Sequence, residues 1–303
     1  MQMKKAIITG ANGFVGSALA KTLLGQGISV TAIDVSGERL PKEAEYICCD
    51  IAEIDQAGVG IQASEDAVFY HLAWRGSAGA ERGDYIVQTE NIRNAVKCLY
   101  TAKDIGCTRF VFAGTIMEHE SYYAAFDQKN KAGTGYIYGA SKYLAHTACK
   151  AIAADLGIDF IWAGLTNAYG AGELSVRLIN ATLRKVINNE PLEFTSGTQN
   201  YDFVYIDDAA MAFYHIGKYG KPFCEYIIGS GDAKPLREFL LEIKASVAVN
   251  KEFRFGDVAF TGVNMPLSVF DCSMTKNDTG FEAKIPFTMG IRQTMDWLIR
   301  HEE

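Results

Sequence analysis

The chain has 303 residues, of which 49% are hydrophobic, 12% aromatic and 21% charged. This composition can build a large buried core and excludes a disordered or fibrous protein. The formal net charge of −7 argues against nucleic acid as a partner, because phosphate binding needs clustered basic charge.

Short apolar runs alternate with helical patterns in the first half of the chain. Strands are predicted at residues 6–8, 28–33, 46–49, 67–72, 109–113 and 160–162, and helices at 14–24, 85–103 and 138–156. This alternation is typical of βαβ units around a parallel sheet. It weakens after about residue 170, which predicts a smaller lobe over the carboxyl ends of the strands, where open α/β sheets bind ligands.

A glycine-rich turn separates the first predicted strand from the first helix. It contains Gly10, Gly13 and Gly16, interleaved with Asn12, Phe14 and Val15. Gly10 permits a tight turn, Gly13 lets the backbone approach a pyrophosphate, and Gly16 lets the helix pack close to the sheet. The free N–H groups of the helix N-terminus favour phosphate binding. The sequence therefore predicts a dinucleotide site.

An acidic residue ends the second predicted strand. Asp34 follows Gly16 by 18 residues, which is where a carboxylate accepts hydrogen bonds from an adenosine ribose. The same charge would repel a 2′-phosphate, so NAD is favoured over NADP. Arg39 is close enough in sequence to weaken that preference, and Asp34 has the alternative role of capping the next turn.

A tyrosine and a lysine lie four residues apart on the predicted helix 138–156. Tyr138 and Lys142 therefore share one helix face. A phenol titrates near pH ~10, and a neighbouring ammonium lowers that pKa toward the range of a general base. Thr115, directly after the fifth predicted strand, is the natural third member, since its hydroxyl can bond the same substrate oxygen. The alternatives are a solvated helix face and a turn cap.

The cysteines and the first residues of the chain indicate the expected cellular compartment. The seven cysteines include no CxxC pair, so neither a disulfide framework nor a zinc site is predicted. Residues 1–9 lack the apolar run of a signal peptide, and no apolar stretch approaches the ~20 residues of a membrane span. We expect a cytoplasmic protein with no metal and no membrane partner.

Further motifs, taken in order, resemble those of the extended short-chain dehydrogenase/reductases, specifically the NAD-dependent epimerases and dehydratases of nucleotide sugars. The segments that carry the resemblance are residues 9–16, 50–51, 71–73, 91–92, 138–142, 167–170, 202–208 and 254–257. The resemblance implies an α/β fold with a Rossmann-like, doubly wound parallel sheet at residues 1–169, to which about 200–218 return, and a smaller substrate lobe at 170–303. It also implies a homodimer paired through the helices at 85–103 and 138–156.

The same resemblance assigns further binding residues. Its cofactor contacts fall on Asp50, Ile51, Leu72, Ala73 and Asn91, with Tyr138 and Lys142 touching the cofactor as well. Its substrate contacts fall on Asn167, Arg254 and Thr115. Tyr201 replaces the arginine that usually binds the diphosphate. Arg254 is then the positively charged residue at a position that matches the family's diphosphate-binding motif. Arg177 and Lys185 either assist it or are ordinary solvated charges.

Departures from the family pattern bear on the reaction. The 4,6-dehydratases carry an Asp-Glu pair where this chain has Ile116 and Met117, so dehydration is disfavoured. The divergent segment 116–135 is predicted to shape the sugar pocket, with His119 as a pocket or surface residue and not a catalyst.

These features predict a nucleotide-sugar 4-epimerase that resembles UDP-glucose 4-epimerase. In that reaction Tyr138 removes a proton from the C4 hydroxyl, Thr115 shares the hydrogen bond and Lys142 lowers the pKa of Tyr138. One alternative is an NAD(P)H-dependent 4-ketoreductase of a nucleotide 4-keto-6-deoxysugar, which uses the same residues. Others are a dehydrogenase of a small non-nucleotide alcohol and, least favoured, a non-catalytic NAD sensor.

Overall fold

The computed structural model describes residues 3–58, 60–61, 63–64, 66–127, 129 and 131–301. Two residues of the divergent segment, Gln128 and Asn130, lie outside this range. The strands are β1 (Lys5–Thr9), β2 (Ser29–Asp34), β3 (Glu45–Cys48), β4 (Ala67–His71), β5 (Arg109–Thr115), β6 (Asp159–Leu165), β7 (Asn167–Tyr169), β8 (Leu192–Phe194), β9 (Asn200–Tyr201), β10 (Phe203–Tyr205), β11 (Glu225–Ile228), β12 (Lys234–Pro235) and β13 (Phe253–Phe255).

Helices connect most of these strands. They are α1 (Phe14–Gly25), α2 (Ile54–Gly58), α3 (Tyr85–Asp104), α4 (Met117–Phe126), α5 (Ile137–Leu156), α6 (Leu178–Ile187), α7 (Ile206–Tyr219), α8 (Leu236–Val247), α9 (Ser273–Thr279) and α10 (Phe287–His301). Short 3₁₀ turns occupy Ile51–Glu53, Ala80–Gly83, Thr134–Tyr136 and Leu267–Phe270. In the described part of the chain, no helix combines the length and apolarity that crossing a bilayer requires.

One sheet organises the fold. Within the described residues it has seven strands in the order β3-β2-β1-β4-β5-β6-β11, and every neighbouring pair is parallel. The strand order reverses between β1 and β4, which creates a crevice at their carboxyl ends. The predicted α/β fold with a doubly wound parallel sheet is confirmed.

Both faces of the sheet are buried because side chains alternate along each strand. In β1, Ala6 and Ile8 join a core shared with α1 and α7. Ile7, between them in sequence, points to the opposite core, which α3 and α5 complete. This two-sided burial fixes the strand ends, and therefore the loops that follow them, in rigid positions.

The later part of the chain forms a smaller lobe with its own core. That core contains Leu183 of α6, Phe239 of α8 and Ile291 of α10, all almost fully buried. Two later segments return to the main sheet: α7 packs against α1, and β11 pairs with β6. Residues of α6 and residues at the end of β5 line one cavity, so the lobe lies beside the carboxyl ends of the strands.

Candidate active site

A cavity of about 750 Å³ opens at the crevice between β1 and β4. The residues that line it include eleven predicted cofactor contacts, which are Gly10, Gly13, Phe14, Val15, Gly16, Asp34, Asp50, Ile51, Leu72, Ala73 and Asn91. They come from the ends of neighbouring strands and the start of α1, which the sheet topology brings together.

The glycine turn at the bottom of this cavity leaves no space for side chains. Gly10 has a φ of +71°, and a Cβ atom there would lie 2.6 Å from the backbone nitrogen of Ala73. A Cβ atom on Gly16 would overlap the carbonyl oxygen of Gly10. Helix α1 then begins at Phe14, and no side chain of the described residues caps its N-terminus. Its first N–H groups therefore remain available to an anionic ligand.

Asn12 is the predicted glycine-turn residue that does not line the cavity. Its side-chain nitrogen donates to the Ser36 hydroxyl at 2.7 Å, and its side-chain oxygen accepts from the Arg39 backbone nitrogen at 2.8 Å. Asn12 thus holds the loop after β2 against the glycine turn.

Asp34 ends β2 and lines the cavity. Its carboxylate accepts from the backbone nitrogens of Asn12 at 2.9 Å and Val35 at 2.8 Å. A carboxylate offers about four lone-pair sites, so Asp34 can still accept hydrogen bonds from a ribose. Arg39, which also lines the cavity, donates its guanidinium to the carbonyl oxygen of Gly172.

Polar side chains fix the remaining walls of this cavity. Asp50 caps the following 3₁₀ turn by accepting from the Ala52 backbone nitrogen at 2.9 Å. Asn91, buried on α3, accepts from the Arg75 backbone nitrogen at 3.1 Å and donates to the Arg75 carbonyl oxygen at 2.8 Å. The loop after β4 is therefore held in one conformation.

A second cavity of about 520 Å³ adjoins the first. The two share Val15, Leu72, Trp74, Ser77, Glu173 and Arg177 in their walls. The second cavity is also lined by Thr115, Tyr138, Lys142, Asn167 and Tyr201. The structure therefore brings the three predicted catalytic residues together in the wall of the second cavity, which adjoins the first.

Thr115 is positioned by Glu118, a buried residue of the divergent segment that was predicted to shape the sugar pocket. The Thr115 backbone nitrogen donates to Glu118 Oε1 at 2.9 Å. The same carboxylate accepts from Trp162 Nε1 at 3.1 Å and lies 3.1 Å from His146 Nδ1. Glu118 is 3% exposed and is fully engaged by these partners, so it orders the end of β5 and does not face the cavity.

Tyr138 lies almost fully buried at the start of α5. Burial raises the pKa of its phenol, while the charges of Arg177 and Arg82 and a hydrogen bond with Thr115 act in the opposite direction. The Arg82 guanidinium carbon lies 4.5 Å from the centre of the Tyr138 ring. The cations that favour a phenolate are thus two arginines from distant loops, whereas the sequence predicted Lys142 in this role.

Lys142 has different neighbours. Its ammonium donates to the Ala113 carbonyl oxygen at 2.8 Å and lies 4.0 Å from the centre of the Trp74 ring. Burial lowers the pKa of Lys142 to about 7, although the charge of Glu118 acts in the opposite direction.

This shift predicts a pH-dependent effect of Lys142 on stability. Between pH about 7 and about 10.4, the ordinary pKa of lysine, the unfolded chain binds one more proton at this site than the folded chain. The free energy of unfolding therefore rises with pH in that window, by up to about 1.4 kcal/mol per unit. Lys142→Met removes the cost of burying the lysine charge. The free energy of unfolding of the variant should therefore exceed that of the wild type most near pH 6 and least near pH 9.

Urea unfolding of the nucleotide-free protein at both pH values measures this difference. Lys276→Met, at an exposed lysine, is the matched control and should follow the wild type. Parallel profiles for Lys142→Met and wild type would contradict the prediction.

The predicted substrate residues fall into two groups. Asn167 donates its side-chain nitrogen to the Asp202 carbonyl oxygen at 3.0 Å, Tyr201 stacks on Phe203 with ring centres 5.5 Å apart, and Arg177 immediately precedes α6. These three line the second cavity. Arg254 does not line either cavity.

Arg254 is engaged elsewhere on the lobe. It lies on β13 directly opposite Glu193 of β8. Its guanidinium forms ion pairs with Glu193 and, at 3.3 Å, with Asp257. Its role as a diphosphate ligand therefore stays a prediction, because in this structure the side chain is paired with two carboxylates.

Several lining residues escaped the sequence analysis. They are Trp74 and Arg82 from the loop after β4, Glu120 from α4, and Ala259, Phe260, Thr261 and Gly262 from the lobe. Of these residues, Glu120 alone could have been found from the sequence, because it lies in the divergent segment predicted to shape the pocket. His119, in the same segment, packs edge-on against Trp162 with ring centres 6.0 Å apart and lines neither cavity.

Comparisons with known proteins agree with this geometry. The model of the NAD dependent epimerase/dehydratase family matches residues 6–229. Among curated proteins, the chain is 24% identical to CDP-abequose synthase of Salmonella muenchen, over 96% of this chain and 97% of the relative. It is also 24% identical to dTDP-4-dehydro-6-deoxyglucose reductase of Escherichia coli, over 85% and 86%.

Solved structures resemble the fold along almost the whole chain. UDP-glucose 4-epimerase of Thermotoga maritima, solved with UDP-glucose, superposes with a TM-score of 0.83 at 19% identity, covering 99% of this chain and all of the other. The enzyme WbmF of Bordetella bronchiseptica, solved with NAD+, has a TM-score of 0.79 at 19% identity, covering 99% and 93%.

Proposed function

The chain belongs to the NAD dependent epimerase/dehydratase family, and from this premise we propose that it is a nucleotide-sugar 4-epimerase acting at C4 of a nucleotide-linked hexose. One observation carries the proposal: Thr115, Tyr138 and Lys142 together line a cavity that also contains Arg177 and adjoins the cavity of the glycine turn. Redox chemistry at a carbinol needs a base in that cavity.

The first cavity fits NAD. Gly10 and Gly16 let the turn pack against backbone atoms that a Cβ atom would overlap, which sets the tight turn of a dinucleotide site. The uncapped start of α1 suits a pyrophosphate, and Asp34 suits an unphosphorylated ribose. Asp50, Ile51, Leu72, Ala73 and Asn91 would complete the binding site. When bound, NAD supplies the oxidation and the re-reduction at the sugar carbon.

The protein itself handles the proton. Tyr138 would accept the proton of the C4 hydroxyl, and the Thr115 hydroxyl would hold the same oxygen by a hydrogen bond. Arg177 and Arg82 would stabilise the phenolate formed on Tyr138. Lys142, fixed by Ala113 and Trp74, would orient the cofactor beside Tyr138. In an epimerase the same tyrosine then returns the proton after the keto sugar has turned.

Dehydration is not supported by these residues. Ile116 is buried in an apolar cluster with Met265 and Phe270, and Glu118 is bound by Trp162 and His146. Two carboxyl groups of the described residues line the second cavity, Glu120 and Glu173, and neither stands at position 116 or 117, where the dehydratases carry their Asp-Glu pair. The acid–base pair of an elimination is therefore incomplete.

A second candidate is a 4-ketoreductase that consumes its cofactor. It would use the same three residues, and the relationship to the Escherichia coli reductase favours it. A dehydrogenase of a small alcohol is less well supported, because a 520 Å³ cavity with two arginines exceeds what such a substrate needs. We propose a cytoplasmic location for either enzyme, which is consistent with the family.

The state of the cofactor after purification separates the candidates. Protein purified without added nucleotide is denatured, and the released compound is identified by absorbance and mass. We expect near-stoichiometric NAD, followed by conversion of UDP-hexoses to their C4 epimers without added cofactor. If the purified protein contains no nucleotide and turns over only with added NADH or NADPH, the result would favour the ketoreductase over the epimerase.

Arg177 and Arg254 are competing candidates for the substrate diphosphate. We propose Arg177, because it lines both cavities, whereas Arg254 is paired with Glu193 and Asp257. Arg177→Ala should raise KM for the nucleotide sugar by about 10- to 100-fold, the loss of one charged hydrogen-bonding group. Arg254→Ala should change KM far less; the reverse order in steady-state kinetics would restore Arg254 to this role.

We also propose a homodimer. Helices α3 and α5 expose large apolar side chains next to each other, among them Tyr85, Ile86, Tyr100, Tyr143 and Leu144. Covering such a face is favourable. Light scattering should give about twice the chain mass of 33.2 kDa, and Leu144→Glu should give a monomer. A monomeric wild type would exclude the dimer.

A further inference from the structure

Arg82 has a proposed role toward Tyr138 but none toward the substrate, and its backbone position is fixed by the fold. It lies in the 3₁₀ turn Ala80–Gly83 between β4 and α3. The fully buried Gln88 holds this turn by donating to the carbonyl oxygens of Gly76 at 3.1 Å and Glu81 at 3.0 Å. The Arg82 side chain is therefore directed by an ordered loop.

The guanidinium faces the reacting end of the second cavity. It lies 4.5 Å from the centre of the Tyr138 ring and lines the second cavity but not the first. Its one hydrogen bond to the described residues is a long one, from Nη1 to the Ser77 carbonyl oxygen at 3.3 Å. A guanidinium carries five N–H groups in a planar fork, so most donors of Arg82 have no hydrogen-bond partner among the described residues.

No carboxylate of the described residues neutralises this charge by direct contact. Glu120 lines the same cavity, but its Oε1 already accepts from the Tyr136 hydroxyl at 3.4 Å and the Val263 backbone nitrogen at 3.3 Å. Burial also raises the pKa of Glu120, which favours its neutral form. Arg177 adds a second positive charge. Glu173, the other carboxyl group in the wall of this cavity, accepts from the Ser175 backbone nitrogen at 2.9 Å and forms no ion pair with Arg82 among the described residues. The two charges that act most strongly on Tyr138 are therefore those of Arg177 and Arg82.

We propose that Arg82 binds a carboxylate carried by the sugar next to the reacting carbon, so that the preferred substrate is a nucleotide-linked hexuronic acid. The inference rests on the proposed C4 chemistry: in a hexuronic acid the carboxylate is attached to C5, the neighbour of C4. The planar fork of arginine matches a carboxylate in two parallel hydrogen bonds. Arg177, at the start of α6 and on the wall of both cavities, is left to the diphosphate.

The test compares UDP-glucuronate, UDP-glucose and UDP alone. Wild type should prefer UDP-glucuronate in kcat/KM. Arg82→Met should reduce kcat/KM for UDP-glucuronate by about 10- to 100-fold more than for UDP-glucose, the range of one charged hydrogen-bonding pair. Inhibition by UDP should stay unchanged. The ratio between the two sugars cancels any general loss caused by the contact of Arg82 with Tyr138, and Arg82→Lys should restore part of the preference.

Arg237→Met is the matched control, because Arg237 stacks on Phe255 at 4.2 Å outside both cavities. Equal losses for both sugars in Arg82→Met would make Arg82 a positioning residue for Tyr138 alone and overturn the proposal. Weakened inhibition by UDP would make it a diphosphate ligand, with the same consequence.

Failure of the proposed function has a different signature. In that case wild type would convert neither sugar, and calorimetry would decide the role of Arg82 on binding alone. Tighter binding of UDP-glucuronate than of UDP-glucose, lost in Arg82→Met, would still support a carboxylate site. Equal or absent binding of the two sugars to wild type would overturn it.

Discussion

Tyr138→Phe should abolish measurable turnover while NAD remains bound. The substitution keeps the buried ring between Trp74 and Arg82 but removes the group that exchanges a proton with the substrate. General acid–base groups contribute about 10²- to 10⁴-fold to rate. Phenylalanine at position 138 has no group that can exchange a proton, so this contribution is lost. Stopped assays of C4 epimerisation would measure kcat, and calorimetry would measure the affinity for NAD.

A matched control separates this chemical loss from a structural one. Tyr219→Phe makes the same change at the exposed end of α7 and should leave kcat unaltered. Because burial raises the pKa of Tyr138, kcat of the wild type should rise with pH toward the phenol pKa. If Tyr138→Phe retained turnover and the same pH profile, Tyr138 would not be the base.

The nucleotide cavity was the most predictable part of the molecule. Its residues follow strand ends in sequence, and parallel strands bring their carboxyl ends to one edge of the sheet. The roles of Gly10 and Gly16 could be predicted because both depend on local backbone geometry, which a short motif encodes. The role of Asn12 was predicted less well. Its amide binds the loop after β2, and the glycine motif does not determine the conformation of that loop.

The electrostatic surroundings of Tyr138 could not be predicted from spacing. Residues four apart on a helix share a face, but that does not fix where a long side chain ends. Lys142 extends to Ala113 and Trp74, whereas Arg82 and Arg177 approach Tyr138 from loops 56 and 39 residues away in sequence. Such loop contacts depend on tertiary structure that no local pattern encodes.

Arg254 illustrates a limit of carrying a family role onto a single position. Its motif matches, yet the cross-strand neighbour of Arg254 is Glu193, and opposite charges facing each other across paired strands attract. Asp257, three residues later, adds a second carboxylate. The sequence shows all three residues but not that β8 and β13 place two of them side by side.

Asp34→Asn should largely remove the preference for NAD over NADP. The wild-type carboxylate ends β2 inside the nucleotide cavity, where a 2′-phosphate would approach it with like charge. Such repulsion costs several kcal/mol, and each ~1.4 kcal/mol corresponds to tenfold in affinity. We therefore expect NADP to bind the variant at least about tenfold more tightly, while NAD loses less. Calorimetric titration with both dinucleotides measures the two changes.

The design of this variant follows from the contacts of Asp34. Asparagine keeps the side-chain size and one acceptor oxygen, so it can retain the bond from either Asn12 or Val35 but not both. Asp55→Asn removes the same charge at an exposed site and should leave the selectivity for the two dinucleotides as in wild type. An unchanged selectivity in Asp34→Asn would mean that the carboxylate serves only the backbone.

Arg39 decides how far the selectivity can reverse. Its guanidinium donates to the Gly172 carbonyl oxygen, yet it lines the same cavity as Asp34, which makes it a candidate ligand for a 2′-phosphate. If Arg39 turns toward the phosphate once Asp34 is neutral, the double variant Asp34→Asn/Arg39→Met will lose the affinity for NADP gained by Asp34→Asn. If the gain persists, relief of repulsion alone accounts for it, and Arg39 serves to join the loop after β2 to the substrate lobe.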